Sequence, residues 1–342
     1  MMENPLNTHK MQQQASSNKK PRIALDLLGS DADSNFILES AIPIISSFKE
    51  NASFLIIAEE KNKSLLNSIA NISYIIATDT ITMEENPLTA IRKKKNSSLV
   101  LGIQALEEKK VDAFISFGST GALVAGAKII LETLPHIKYP ALLTEFTSNQ
   151  KQTAILDIGA VTSCDSNCLI NFAFMGTAYQ KTRGIQDPIV GLLNIGKESH
   201  KGPLEFQEAY NTLSSLNKTS DLPFFYGNIE GTDAFKGLVD VIVTTGFAGN
   251  IFLKTAEGLS AFFWDKLSEE QKKLHPQFNP KQYPGAILCG VKGIVIKCHG
   301  NGNPQSIHKS ISDAIKLTKE NFIENIEKEI NSLFEKILPK SC

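Results

Sequence analysis

Two stretches of this sequence end an apolar run in a hydroxyl residue and then pass through Gly-x-x-Gly. The first is Val111-Asp112-Ala113-Phe114-Ile115-Ser116-Phe117-Gly118-Ser119-Thr120-Gly121. The second is Val239-Asp240-Val241-Ile242-Val243-Thr244-Thr245-Gly246-Phe247-Ala248-Gly249. They correspond position for position. A strand that turns through two glycines into a helix presents free backbone N–H groups at the helix's positive end, and an anion can approach them closely. Glycine at a tight βα turn is often only structural, but two turns in the same register favour a shared role. Gly118, Thr120, Gly121, Gly246 and Gly249 are therefore candidate phosphate ligands. Asn250 and Lys254 follow on the expected first turn of the second helix, where they would add a donor and a charge.

Further candidates lie upstream. Arg92-Lys93-Lys94-Lys95-Asn96-Ser97-Ser98 sets four cations before two hydroxyls at an expected helix start. Such runs usually form a solvated face. Here Ser97 or Ser98 can cap the helix, and the cations stand beside its positive end, which would suit a phosphate or an acidic partner. Arg92, Lys94, Ser97 and Ser98 join the phosphate ligands on that ground. Of six histidines, only His299 has a rich context, in Ile296-Lys297-Cys298-His299-Gly300-Asn301-Gly302 after an apolar run.

Other chemistries find little support. Gly191-Leu192-Leu193-Asn194-Ile195-Gly196-Lys197 fits the opening of a nucleotide P-loop, but Glu198 stands where the Mg²⁺-binding hydroxyl belongs. No Gly-x-Gly-x-x-Gly follows a strand, which weakens a dinucleotide dehydrogenase. No Gly-x-Ser-x-Gly elbow supports a covalent hydrolase. The five cysteines read as reduced thiols. Cys164 and Cys168 are spaced for one helical face, but no second pair completes a metal site. Neither metal nor organic cofactor is expected.

Elements must position these residues. Apolar strand-like runs fall at 23–27, 54–58, 73–76, 113–116, 141–143, 153–157, 189–194, 224–226, 239–244 and 293–297. Helical patterns lie between most of them, as at 97–108, 121–133, 168–181 and 202–216, and amphipathic helix fills 304–338. This alternation predicts a doubly wound α/β fold, three layers with a mainly parallel sheet. Such sheets bind ligands at the carboxyl ends of their strands. Residues 1–21 are polar, without a signal peptide's apolar stretch, and read as a disordered tail. Residues 22–342 read as a single α/β domain. With 342 residues, 42% hydrophobic, and a net charge of −1, a large core is affordable and no global pull toward nucleic acid exists. No run reaches the roughly 18–20 residues of a membrane span.

In order along the chain, these segments resemble the bacterial phosphate acyltransferases of the PlsX family. The matching residues include Asp26, Gly29 and Asp31, then Ala90, Arg92, Lys94, Ser97 and Ser98, then Ser116, Gly118 and Thr120-Gly121-Ala122. They continue through Leu156-Asp157-Ile158-Gly159-Ala160, Phe172-Ala173-Phe174-Met175-Gly176, Leu193-Asn194-Ile195-Gly196 and Lys201-Gly202. Asn228, Glu230-Gly231, Asp233, Gly249-Asn250, Leu253-Lys254-Thr255 and His299-Gly300 complete the set. The family pattern differs at several positions, with asparagine at Ser119 and aspartate at Thr245 among them. It also carries a membrane-touching helical hairpin where this chain looks shorter, between residues 258 and 283.

The resemblance implies a fold like phosphotransacetylase and isocitrate dehydrogenase. It implies transfer of a fatty acyl group from acyl carrier protein to inorganic phosphate, for phospholipid synthesis. It implies a cytoplasmic homodimer, peripheral at the inner membrane face, upstream of a membrane glycerol-phosphate acyltransferase. Phosphate is itself a nucleophile and a thiolate leaves readily. The site's work is therefore to position phosphate and stabilise the tetrahedral oxyanion. Arg92, Lys94, Lys201 and Lys254 are the expected cations. Asn194 and Asn250 would donate to the oxyanion or fix the phosphate. His299 would protonate the leaving sulfur, or else make a structural hydrogen bond at a strand end. Rival readings are a short-chain phosphotransacetylase using coenzyme A and a catalytically weakened partner of a membrane acyltransferase.

Overall fold

The structure, a computed structural model, describes residues 20–29, 33–69, 72–148, 151–219, 224–279, 285–298 and 303–337. Residues 1–19 of the polar tail, Asp31 and His299 lie outside them. Runs of β-branched and other apolar residues form eleven strands of one sheet among the described residues. In chain order they are β1 (Arg22–Asp26), β2 (Ser53–Ala58), β3 (Ser73–Ile76), β4 (Ala113–Ser116), β5 (Ala141–Ser148) and β6 (Lys151–Leu156). They continue as β7 (Val190–Leu193), β8 (Phe225–Ile229), β9 (Val241–Val243), β10 (Ala286–Cys289) and β11 (Ile294–Lys297). Helices between them are α1 (Ser34–Ser47), α2 (Lys63–Asn67), α3 (Pro87–Lys93), α4 (Ser98–Glu107), α5 (Thr120–Ile130), α6 (Ser166–Thr182) and α7 (Leu204–Thr219). Then come α8 (Gly246–Trp264), α9 (Glu269–Leu274), α10 (Pro304–Lys319) and α11 (Phe322–Ile337).

The strand order is β3-β2-β1-β4-β11-β10-β5-β6-β9-β7-β8. Pairing is parallel from β3 to β11 and again from β6 to β8, whereas β11–β10, β10–β5 and β5–β6 are antiparallel. Three reversals separate the two parallel halves, so they run in opposite directions. The expected parallel sheet is thus parallel in each half and antiparallel at its centre. Strand β10 is absent from the sequence expectation, because four residues after a glycine carry no readable period. A twist of roughly 20–25° per strand, over the steps from β4 to β9, turns one half by on the order of 100–125° relative to the other. The carboxyl ends of both halves can then face one cleft.

Two apolar cores form, one on each face of the sheet. One joins α1, α6, α10 and α11 to residues such as Leu25, Ile115, Leu156 and Val243. The other joins α4 and α5 to Ala24, Phe114, Ile155 and Ile242. Caps set where the helices start. Asn86 accepts from the Thr89 N–H ahead of α3, with Pro87 at its first position. Asp165 accepts from the Cys168 N–H at α6, and Ser268 forms a capping box with Gln271 at α9.

Candidate active site

The first Gly-x-x-Gly turn is held by side chains. Strand β4 ends at Ser116, paired in register with Asp26 on β1 and Lys297 on β11. The Ser116 hydroxyl donates to Asp26 Oδ2 at 2.8 Å and accepts from the Gly118 N–H at 3.1 Å. Asp26 Oδ1 accepts from the Leu28 N–H at 3.1 Å, and Ser98 at the start of α4 also bonds this carboxylate. Asp26 is fully buried. Burial pushes its pKa up to about 6, against the pull of Ser116, Ser98, the Leu28 N–H and the charge of Lys297. The Lys297 ammonium donates to the carbonyls of Phe117 and Cys298. Thr120 then opens α5.

The second turn is held by backbone. Asp157, just after β6, is buried and grips a loop. Its Oδ1 accepts from the N–H groups of Leu142 (3.0 Å), Gly159 (3.1 Å) and Ala160 (2.9 Å), and its Oδ2 from Val161 (2.7 Å). Burial raises its pKa while those four donors pull it down. The helix α8 starts against this loop so closely that no side chain fits. A Cβ on Gly249 would lie 1.9 Å from the Asp157 carbonyl oxygen, and one on Gly246 would lie 2.5 Å from Asp157 Oδ2. Thr245 caps α8, accepting from the Ala248 N–H at 3.4 Å. Threonine can do this where the family pattern has aspartate, since both offer a cap oxygen. The Thr244 hydroxyl is buried and has no partner among the described residues.

Thr120, Gly246, Asn250 and Lys254 line one cleft of about 820 Å³. Arg92, Lys94, Ser97, Ser98, Gly118, Gly121, Gly249, Asn194 and Lys201 are not among its lining residues. Because α8 begins at Gly246, Lys254 sits two turns into the helix rather than on its first turn. Its ammonium pairs with Glu257 at 2.7 Å. Arg92 lies exposed in the last turn of α3. The Lys94 ammonium is held by Glu85 at 2.8 Å and by the Thr80 carbonyl at 2.7 Å. Ser97 stands at the N-cap of α4, yet its hydroxyl makes no cap bond and is buried without a partner among the described residues. Gly118 is buried behind the first turn, and Gly121 is exposed with Pro87 against it.

Asn194 and Lys201 form a third group, on the loop after β7. The Asn194 amide donates to the Lys201 carbonyl at 3.0 Å, and its oxygen accepts from the Ile195 N–H at 2.8 Å. Both ends of that side chain therefore hold the loop. Beside it, nearly inaccessible Asp233 is clasped by Lys236 at 2.7 Å and Lys197 at 3.0 Å. These two lysines hold its carboxyl well below the usual carboxylate range.

Asp26, Ser116 and Lys297 were missed as site residues, and so was Asp157. The signal was available: Leu25-Asp26 and Leu156-Asp157 each end an apolar run in aspartate shortly before a glycine, Gly29 or Gly159. Strand β1 lies beside β4 and β6 beside β9, so the internal echo is a two-strand unit in each half.

A family model described as Fatty acid synthesis protein matches residues 21–325 of this chain. A phosphate acyltransferase from Chlamydia abortus (strain DSM 27085 / S26/3) is 40% identical over 316 residues, which span 89% of this chain and 98% of the relative. One from Thermotoga maritima is 37% identical over 330 residues, spanning 91% and 97%. Among solved structures, a phosphotransacetylase from Streptococcus pyogenes matches with a TM-score of 0.60 at 17% identity, covering 94% of this chain and 100% of that one. The EutD phosphotransacetylase from Staphylococcus aureus gives 0.58 at 17% identity, covering 92% and 98%. At that identity the likeness is one of fold.

Proposed function

This chain belongs to the phosphate acyltransferases of the fatty acid synthesis protein family, and from that premise we propose that it moves a fatty acyl group from the thioester of acyl carrier protein to inorganic phosphate. One observation carries the reading. A single cleft has the start of a glycine-turn helix at Gly246 and apolar side chains such as Phe146, Ile158 and Phe252 along the same wall. An anion and a hydrocarbon chain can be held side by side there.

In this reading phosphate rests against the first turns of α5 and α8; on α8 the Gly246, Ala248 and Gly249 N–H groups are already taken by the Val161 carbonyl, the Thr245 hydroxyl and the Thr245 carbonyl, so the anion relies there on the Phe247 N–H and on side chains. Asn250 and Lys254 reach it from α8, and Arg92, Ser97 and Ser98 complete the other flank. A phosphate oxygen attacks the thioester carbonyl. The tetrahedral oxyanion is stabilised by the same donors, and collapse expels the thiolate, leaving acyl phosphate. Asn194 positions Lys201 rather than touching the substrate. His299 protonates the departing sulfur. The cations Arg92, Lys93 and Lys95 steer the acidic carrier. The product feeds a membrane glycerol-phosphate acyltransferase.

Helix α8 supports a homodimer that touches the membrane peripherally. Only Gly246 and Gly249 are buried along it, while Phe247, Ile251, Leu259, Phe262 and Phe263 are exposed. Among the described residues no helix is long and apolar enough to cross a membrane.

The test is to mix the purified chain with hexadecanoyl carrier protein and phosphate and trap product with hydroxylamine. Hydroxamate should form only when both substrates are present. Product only with short acyl coenzyme A, or none above background, would sink the reading.

A further inference from the structure

The cleft has a direction, and three aromatic rings converge along its path. Leu142 marks the near end, because its N–H bonds the same Asp157 carboxylate that backs the second glycine turn. Leu142, Thr144 and Phe146 share one face of β5, so the path from Leu142 to Phe146 runs about 13 Å along the strand. All three line the cleft, as does Ile158 beside them. At Phe146 three rings from separate parts of the chain converge. Phe146 on β5 lies 5.5 Å from Phe235 and 6.2 Å from Phe252 on α8, and Phe235 and Phe252 stack at 5.5 Å between centroids.

Beyond the rings the surroundings turn polar. Thr153 is the cross-strand neighbour of Phe146. Its hydroxyl lies 2.6 Å from that of Ser148 and donates to the Val239 carbonyl at 3.3 Å. Both residues are buried. This floor has its hydrogen bonds satisfied internally. A methyl terminus pushed into it would break them without replacing them.

We propose that Phe146, Phe235 and Phe252 form the stop that sets the length of acyl chain the enzyme accepts. This rests on the reading of the cleft as an acyl-transfer site and adds where the hydrocarbon ends. The distal part of a saturated chain lies along Leu142 and Thr144 with its terminus against the rings. Each methylene within the path adds burial, and each beyond it meets a wall.

The experiment measures kcat/KM for carrier thioesters of dodecanoyl, hexadecanoyl and octadecanoyl groups, with phosphate held constant. Phe252→Ala opens the stop. Phe235→Ala is the safer variant, because that ring is half exposed and its loss threatens the fold least. Either should raise the octadecanoyl-to-dodecanoyl ratio by about fourfold per methylene of new space, the equivalent of roughly 0.8 kcal/mol. The KM for phosphate should stay unchanged. Thr144→Phe, which fills the path, should move the ratio the opposite way. If the wild type is active but the folded variants lower all lengths equally, or leave the ratio alone, the stop is elsewhere. If the wild type makes no acyl phosphate from any thioester, the acyl-transfer reading fails first and takes this inference with it.

Discussion

The two glycine turns share a sequence pattern but are braced differently. At the first, a titratable side chain, Asp26, orients a hydroxyl that holds the Gly118 N–H. At the second, Asp157 holds four backbone N–H groups, the helix rests against that loop with no room for a Cβ at Gly246 or Gly249, and the matching Thr244 hydroxyl has no partner among the described residues. An echo in sequence therefore preserves the shape of a turn while leaving its supports free to diverge. The first turn depends on hydrogen-bond chemistry and the second on steric fit.

The largest effect should come from steric fit. Gly249→Ala puts a methyl group into the Asp157 carbonyl, which is backbone and cannot rotate away. It should abolish acyl transfer and cost stability at or beyond the upper end of the roughly 1–3 kcal/mol typical of overpacking. Gly121→Ala meets only the ring of Pro87, at 2.9 Å. It should be the milder of the two in a denaturant titration. Equal losses would erase the distinction between the turns.

Next in size is pH dependence at the first turn. Asp26 has a folded pKa of about 6 against an ordinary 3.8, with burial as the main cause. The fold therefore holds this proton more tightly than the unfolded chain does. Its contribution to stability is present in full at low pH and is lost as pH rises through the window from 3.8 to about 6. The loss amounts to about 3 kcal/mol by linkage. Asp26→Asn should flatten that part of the stability–pH curve relative to wild type. Identical slopes for the two proteins between pH 4 and 6 would show that Asp26 does not titrate there.

How far these residues could be read from sequence varied with the kind of interaction. Alternating apolar runs and helical periods made the α/β class legible, as did the two glycine turns, because those depend on local pattern. The reversal at β10 and β5 was not legible, because strand direction is set by distant partners. Asp26 and Asp157 stand at strand ends as many surface aspartates do; the glycine soon after each is a readable signal, whereas burial against a neighbouring turn is met only in the fold. Asn194 and Lys94 looked like free donors because their partners, the Lys201 carbonyl and Glu85, are met only after folding.

A smaller comparison sets one cation from each flank against the other. Arg92→Ala and Lys254→Ala should each lower kcat/KM for phosphate by the equivalent of about 1.5–3 kcal/mol, the range for a charge-assisted contact. Lys254 must first leave Glu257, so its effect should fall at the lower end. Unchanged kinetics in both variants, with the fold intact, would return them to the solvated surface.

The smallest expected effect tests the hydroxyls. Ser116→Ala removes a donor from buried Asp26 and should destabilise by about 1–3 kcal/mol. Thr244→Val removes a hydroxyl that has no partner among the described residues. It should be neutral or slightly stabilising, within about 1 kcal/mol. A large loss in thermal unfolding of Thr244→Val would mean that this hydroxyl is engaged after all.

Helix α8 is 19 residues long, about 28 Å at the usual rise, and its fully buried residues lie only at its base. It is in effect a mast stepped at Gly246 and Gly249. Asn250 and Lys254 stand low on it and the exposed Phe262 and Phe263 near its head, all on the same side of the footing. One rigid element therefore joins residues that line the cleft to exposed aromatic rings at the helix's far end.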